Sequence, residues 1–398
     1  MFHQMNKTLL SLLSLALLIS CSMKQAPSLQ GPLVVVDPPP PSPPVVVVDP
    51  PPPTPPPPPK KAIVLFIGDG MGVDYLKVTS DYVYGAPNKL VIQNLALQKD
   101  ISTYSLDNAI TDSAAAATAY ATGVKVNNKV IGMDPADPGV PLENITQIAQ
   151  TNDFSVGVVT TTRLAHATPA AFTAHNISRN NYAAIANEQW NETKADLMLG
   201  GYKNADLDVS SILLDYELVQ NKTELMNLDE NNFDQYERVA GLFGNGNGHM
   251  SYRLNASSDE PRLKEMTDFA LKYLESKGKD FFLLVEGGRI DHAGHANHIE
   301  KAILETAEFD ETVQVFLDWA ATTTLDFSFY LTSDHETGGM QITQLNGQGV
   351  LPTVSWSTGG HSDQNVNLYA DGVNAAEILN VTTNNELFQL LKDGIEAE

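Results

Sequence analysis

A recurring unit constrains this chain most: a short, mainly apolar run that empties into glycines and polar, often acidic, residues. Residues 62–67 (AIVLFI) run into Gly68-Asp69-Gly70-Met71-Gly72, residues 281–285 into Glu286-Gly287-Gly288, and residues 327–332 into Ser333-Asp334-His335. A run without polar alternation fits a strand buried on both faces, as in parallel sheets covered by helices. Residues 155–160 read as another such strand. Between these runs the pattern becomes helical, at residues 113–120, 143–150, 261–277 and 298–319. The predicted fold class is therefore α/β: a three-layer domain over residues 62–398, with a largely parallel central sheet flanked by helices. Binding is expected along the carboxyl edge of that sheet, where the polar residues gather. Residues 187–253 show no clear period and are assigned to peripheral elements, with glycines and asparagines concentrated at 244–248.

The first sixty residues are of another kind. Lys7 precedes an apolar run at residues 9–19. That run is shorter than the roughly 20 residues of a membrane span and fits a signal-peptide core, so residues 1–20 are expected to direct export. The run ends in Leu18-Ile19-Ser20-Cys21, which resembles the lipobox of bacterial lipoproteins. The resemblance implies acylation of Cys21 and an exported lipoprotein, periplasmic or cell-surface, anchored to the membrane; an ordinary signal peptide with an incidental cysteine is the alternative. Cys21 is the sole cysteine, which excludes an internal disulfide and any cysteine chemistry in the domain. Residues 21–61 read as a lipidated N-terminus and proline-rich linker, because the block VVVDPPPP at residue 34 recurs at residue 46. Polyproline II extends by about 3.1 Å per residue, so this stretch is a spacer; a ligand for a proline-recognition domain is the other reading.

With 48 acidic and 24 basic residues the chain carries a formal charge of −24. That composition argues against nucleic acid as a structural partner, since phosphate backbones are held by dense Lys/Arg surfaces. An anionic substrate would need local positive charge.

Five clusters could carry chemistry. Gly68-Asp69-Gly70 after a strand lets backbone and ligand approach a carboxylate closely, although alone it is equally a glycine-rich turn. Thr111-Asp112-Ser113 before four alanines reads as a helix cap, or as a serine hydroxyl activated at a helix N-terminus. Residues 286–295 hold Glu286, Asp291, His292 and His295, with Asp291 and His295 spaced i, i+4 on one helical face, a pairing suited to zinc. Asp334 and His335 can serve one site only if the chain turns there, which Gly338-Gly339 permits; His361 follows Gly359-Gly360. His166, Thr168 and Arg179 lie downstream of another strand, and an arginine fork grips phosphate.

Taken together and in this order, the clusters resemble the alkaline phosphatase family from about residue 62 to 372. The resemblance implies Asp291, His295 and His361 on one zinc, and Asp334, His335 and a bridging Asp69 on a second. Asp69, Thr168 and Glu286 would hold magnesium, giving two Zn2+ and one Mg2+ per chain. Ser113 matches the phosphorylated nucleophile and Arg179 the phosphate clamp. At two further positions members carry either Asp and Lys or two histidines; here they are His166 and His292. The implied reaction is hydrolysis of small-molecule phosphate monoesters through a phosphoserine. Phosphodiesters, phosphonates or sulfate esters on the same metals are the alternative, and a noncatalytic phosphate- or metal-binding lipoprotein is the third reading. His335 and His361 stand only 26 positions apart, where many relatives carry a large insertion. A reduced crown region is expected, and a homodimer is left open.

Overall fold

The computed structural model describes residues 31–32, 34–40, 59–212, 214–228 and 230–397. The chain divides into two units, Met1–Pro56 and Pro57–Glu398. Described residues of the first have no regular secondary structure. Its apolar leader, Cys21 and most of the proline repeat lie outside the described residues. Among those described, no helix is long and apolar enough to cross a membrane.

The second unit contains β1 (Lys61–Ile67), β2 (Leu97–Ile101), β3 (Ser155–Arg163), β4 (Leu197–Gly201), β5 (Glu217–Val219), β6 (Val239–Phe243), β7 (Phe281–Glu286), β8 (Asp326–Thr332), β9 (Glu336–Thr337), β10 (Met340–Gln344), β11 (Thr353–Trp356), β12 (His361–Ser362) and β13 (Val366–Gly372). Nine of them form one sheet in the order β2-β13-β8-β1-β7-β3-β4-β6-β5. Neighbours from β8 through to β5 pair in parallel, whereas β13 runs antiparallel to β8 and to β2.

Side chains alternate across each strand, and in β1 both faces are apolar. Ile63, Leu65 and Ile67 pack with helices Ser113–Thr122, Ile145–Thr151, Ala167–Thr173 and Leu387–Glu396. Ala62, Val64 and Phe66 pack with Val73–Tyr84, Leu263–Ser276 and Ile299–Ala320 on the other side. The Phe66 ring meets Phe309, Phe316 and Phe329 at 5.9, 6.0 and 5.3 Å. Fully burying one such side chain contributes about 1.5–3 kcal/mol, so two-sided burial makes even these short strands strongly stabilising.

The predicted strands and helices form where expected, and the architecture is the anticipated α/β three-layer one. Residues 187–253 are the exception: far from being peripheral, they supply β4, β5 and β6, with β4 and β6 wholly buried. Their glycines are packing devices, since a Cβ on Gly201 would stand 2.3 Å from the Gly248 carbonyl oxygen. Between His335 and His361 the chain forms only β9, a β10–β11 hairpin and the return to β12, which pairs His361 with Thr337.

Register then positions the site. Ile67 lies opposite both Glu286 and Thr332, and Thr160 opposite Glu286. The ends of β8, β1 and β7 are therefore level with Thr160 of β3, which runs on to Arg163, and the loops beyond them share one edge.

Candidate active site

Helix Ser113–Thr122 starts at this edge. Alanine favours the helix and its small side chain lets every residue of it be buried. Asp112 caps it, with Oδ1 accepting from Ala115 N at 3.0 Å and from Lys129 N at 2.9 Å. Asp112 Oδ2 accepts from Arg179 Nη1 at 2.9 Å. One carboxylate thus fixes both the helix start and the guanidinium. Ser113 is 1% exposed, and its Oγ lies 3.2 Å from His335 Nε2. Burial works against the charge on Arg179, yet Asp112 more than offsets it and the pKa is raised.

Three groups of ligating side chains converge beside this hydroxyl: Asp291, His295 and His361; Asp69, Asp334 and His335; and Asp69, His166 and Glu286. Within each, donor atoms lie within 4.8 Å of one another. Whether they suit metal ions can be tested on their hydrogen bonds. His295 Nδ1 is 2.7 Å from the Gly359 carbonyl, and His361 Nδ1 is 2.8 Å from the Thr111 carbonyl. Both Nδ1 atoms must donate there, which leaves lone pairs on two Nε2 atoms facing each other at 3.2 Å. Asp291 Oδ1 stands 3.3 and 3.6 Å from the same two nitrogens. Three acceptors aimed at one another repel unless a cation stands between them. In the other two groups both oxygens of Asp69, Glu286 Oε1 and His166 Nδ1 are buried without a hydrogen-bond partner. The residues fit divalent metal ions.

Close backbone packing makes this convergence possible. Asp334 Oδ1 accepts from Gly70 N at 2.9 Å and from His335 N at 3.0 Å. Gly70 has φ +74°, and a Cβ on it would stand 2.7 Å from Asp291 Cα. β8 ends at Thr332, so Asp334 and His335 lie past the strand and both reach the site; His335 Nε2 is 3.1 Å from Asp334 Oδ2 and 3.7 Å from Asp69 Oδ1. Burial, then Asp334 and Asp291, pushes Asp69 well above the usual carboxylate range. Burial pushes Glu286 up to about 7, against hydrogen bonds donated by Thr160 and Thr162. Crowded, desolvated carboxylates of this kind call for countercharge.

The sequence reading kept His166 beside the ligand sets; its ring lies within one of them, with Nε2 3.1 Å from Arg179 Nη2. Sequence reasoning missed His249, whose ring centroid is 4.4 Å from His292 and 5.2 Å from His166. Its Nδ1 accepts from Arg163 N at 3.2 Å. Burial holds His166 well below the usual imidazole range and His292 down to about 4, so these rings are neutral. The only signal for His249 was the glycine-rich bend before it, which no spacing connects to residues 166 or 292. An open cleft of about 380 Å³ leads to Ser113 and Arg179, with Lys129, Asn180 and Tyr182 along its lining.

The alkaline phosphatase family model matches residues 60–214 and 212–353. Alkaline phosphatase 3 of Bacillus subtilis (strain 168) is 34% identical over 299 residues, covering 70% of this chain and 62% of the relative. Alkaline phosphatase H of Pseudomonas aeruginosa (strain UCBPP-PA14) is 30% identical over 400 residues, covering 82% and 83%. The solved alkaline phosphatase of the Antarctic bacterium TAB5 superposes with a TM-score of 0.74 at 28% identity, covering 85% of this chain and 98% of that one. A histidine-to-glutamate variant of the TAB5 enzyme, at the same TM-score and identity, has Mg bound in its M3 site. The chain spans 62% of the length of the two Bacillus subtilis relatives it matches. Matched along most of its length and carrying three ligand groups at the shared sheet edge, the chain belongs to the alkaline phosphatase family.

Proposed function

We propose that the chain is a metal-dependent phosphatase that hydrolyses phosphate monoesters, with Ser113 as nucleophile. The observation that carries this reading is the convergence of three metal-competent groups on a buried hydroxyl at a helix N-terminus. Two Zn2+ suit the imidazole-containing sets of Asp291, His295, His361 and of Asp69, Asp334, His335. One Mg2+ suits Asp69 and Glu286, with the Thr168 hydroxyl at hand, since oxygen donors are what that ion prefers. Asp69, Glu286, Asp291 and Asp334 bring −4 to the pocket, so three divalent ions would leave it at about +2 before Arg179 is counted. A phosphate dianion can thus be drawn to a chain of charge −24, because distant surface charge is screened beyond about 8 Å.

When bound, the ions supply Lewis acidity toward the ester oxygens and lower the pKa of nearby hydroxyl and water. Ser113 Oγ attacks phosphorus in line, forming the serine ester as the P–O bond to the alcohol breaks. Water then cleaves the phosphoserine, releasing inorganic phosphate and restoring the hydroxyl. Arg179 grips two nonbridging oxygens with its fork, held in register with Ser113 by Asp112. The helix N-terminus favours the negative charge that gathers there. Residues 1–20 as an export signal, Cys21 as the lipid anchor, the catalytic domain from residue 62 and pairing into a homodimer belong to the same proposal; the Leu18-Ile19-Ser20-Cys21 sequence supports the anchor.

The test is acid-quenched labelling. With a radiolabelled phosphate monoester, label is expected on the peptide containing Ser113. Ser113→Ala should abolish it and lower turnover by about 10³-fold or more. Undiminished labelling or turnover in Ser113→Ala would end the assignment.

A further inference from the structure

We propose that Lys129 forms an anion subsite at the mouth of the cleft, favouring phosphate monoesters whose alcohol carries a second negative charge. This rests on the phosphomonoesterase reading and names the substrate class within it.

The argument starts from the backbone. Lys129 has φ +74°, in the left-handed region where a side chain is disfavoured by roughly 1–2 kcal/mol and glycine is at ease. That conformation is used on both sides: Lys129 N donates to Asp112 Oδ1 at 2.9 Å, and Lys129 O accepts from Arg179 N at 2.7 Å. Glycine would make both bonds with less strain, so neither explains a lysine. The side chain is exposed and lines the cleft together with Ser113 and Arg179.

Charge points the same way. Lys77, Lys194, Lys222, Lys264, Lys272 and Lys279 each reach a carboxylate. Among the described residues the Lys129 ammonium has no such partner; Lys60, Lys89, Lys99 and Lys203 also lack one, and of these only Lys129 lines the cleft. Arg179 and Lys129 are the arginine and lysine of the cleft lining, and Arg179 is already bound to Asp112. Asp291, the other acid there, is buried in a ligand group. The deep side of the cleft is filled by those ligands, so the alcohol of a bound ester must point to the open mouth. Lys129, whose backbone bonds both Asp112 and Arg179 and whose exposed side chain belongs to the cleft lining, offers that alcohol a positive charge.

The experiment compares glycerol 3-phosphate with 3-phosphoglycerate, which differ by a carboxylate near the ester. The readout is the ratio of kcat/KM for 3-phosphoglycerate over glycerol 3-phosphate, on metal-loaded full-length protein. Lys129→Gln keeps a polar side chain and the backbone strain but removes the charge, and the ratio should fall about fivefold, as for loss of an exposed ion pair. Lys129→Arg should recover it, and the difference from wild type should shrink as ionic strength rises toward about 0.5 M. Lys129→Gly should show the same lowered ratio while melting at a higher temperature, because it relieves the left-handed strain. An unchanged ratio in Lys129→Gln, with both esters still hydrolysed, overturns the subsite alone. Absence of hydrolysis of either ester and of phenyl phosphate by the wild type overturns the phosphomonoesterase reading, and the subsite with it.

Discussion

Two crowded sets of carboxylates in this molecule are balanced in opposite ways. On helices Leu263–Ser276 and Ile299–Ala320 and the turn before them, Glu308 and Glu311 face cations of the same chain. Arg262 Nε donates to Glu308 Oε1 at 3.0 Å, and Arg253 Nη2 and Lys264 Nζ each reach Glu311 at 2.8 Å. At the sheet edge Asp69 shares ligand groups with Glu286 and with Asp334, yet Asp69 and Glu286 keep buried oxygens without partners. The first set is charge-balanced by the polypeptide and is structural. In the second, histidines face Asp291 and Asp334 while Asp69 and Glu286 lack such partners, and an entering cation would balance them, which is how a fold stores binding capacity in its interior.

The largest effect that can break this contrast is metal removal. Exhaustive chelation should abolish turnover and lower the melting temperature, and zinc plus magnesium should restore both. An ion present at 1,000 times its Kd stabilises by about 4 kcal/mol. Undiminished activity in metal-stripped protein would sink the contrast altogether. Next in size, Arg262→Ala leaves Glu308, only 3% exposed, without its cation. Urea unfolding should register a loss of about 3–5 kcal/mol, in metal-free and metal-loaded protein alike. A loss seen only in one of the two forms would mean that the clusters are not independent.

A smaller effect concerns pH. Burial, then Glu308, raises Glu305 to about 7 from its ordinary 4.5. The fold therefore favours the protonated form: its contribution is fully present below pH 4.5 and is lost as pH rises through 7, amounting to at most about 3 kcal/mol. Unfolding curves of Glu305→Gln against wild type over that window should show wild type losing ground steadily; a gain would refute the sign. The smallest is a reversal at Asp69. With its pKa raised by burial, Asp69→Asn should stabilise metal-free protein by about 1 kcal/mol while weakening the metal-loaded form. Loss of stability in both forms would show that Asp69 finds its countercharge within the chain.

Much of this was legible in the sequence. The β1 and β7 strands announce themselves as unbroken apolar runs and β3 and β8 as mainly apolar ones, and site residues lie at or just past the end of each. Other parts were not legible for physical reasons. β4 and β6 are five-residue runs containing glycine, which locally resembles a loop; only contact with Gly248 and the neighbouring strands gives those glycines their use. His249 lacks any local pattern because its partners, His166 and His292, come from distant loops. Asp112 reads as a helix cap, and its hold on Arg179 spans 67 positions.

The sequence by itself determined which segments become buried strands and which carboxylates and imidazoles stand at their ends. These are consequences of short-range chemistry: apolar continuity, capping and the conformational freedom of glycine. Only the tertiary structure decided that Ile67, Glu286 and Thr332 lie level, that two imidazole lone pairs face each other across 3.2 Å, and that Lys129 stands at the cleft mouth in a glycine-like conformation. Register and close approach belong to pairs of segments far apart in the chain, and no single segment carries that information.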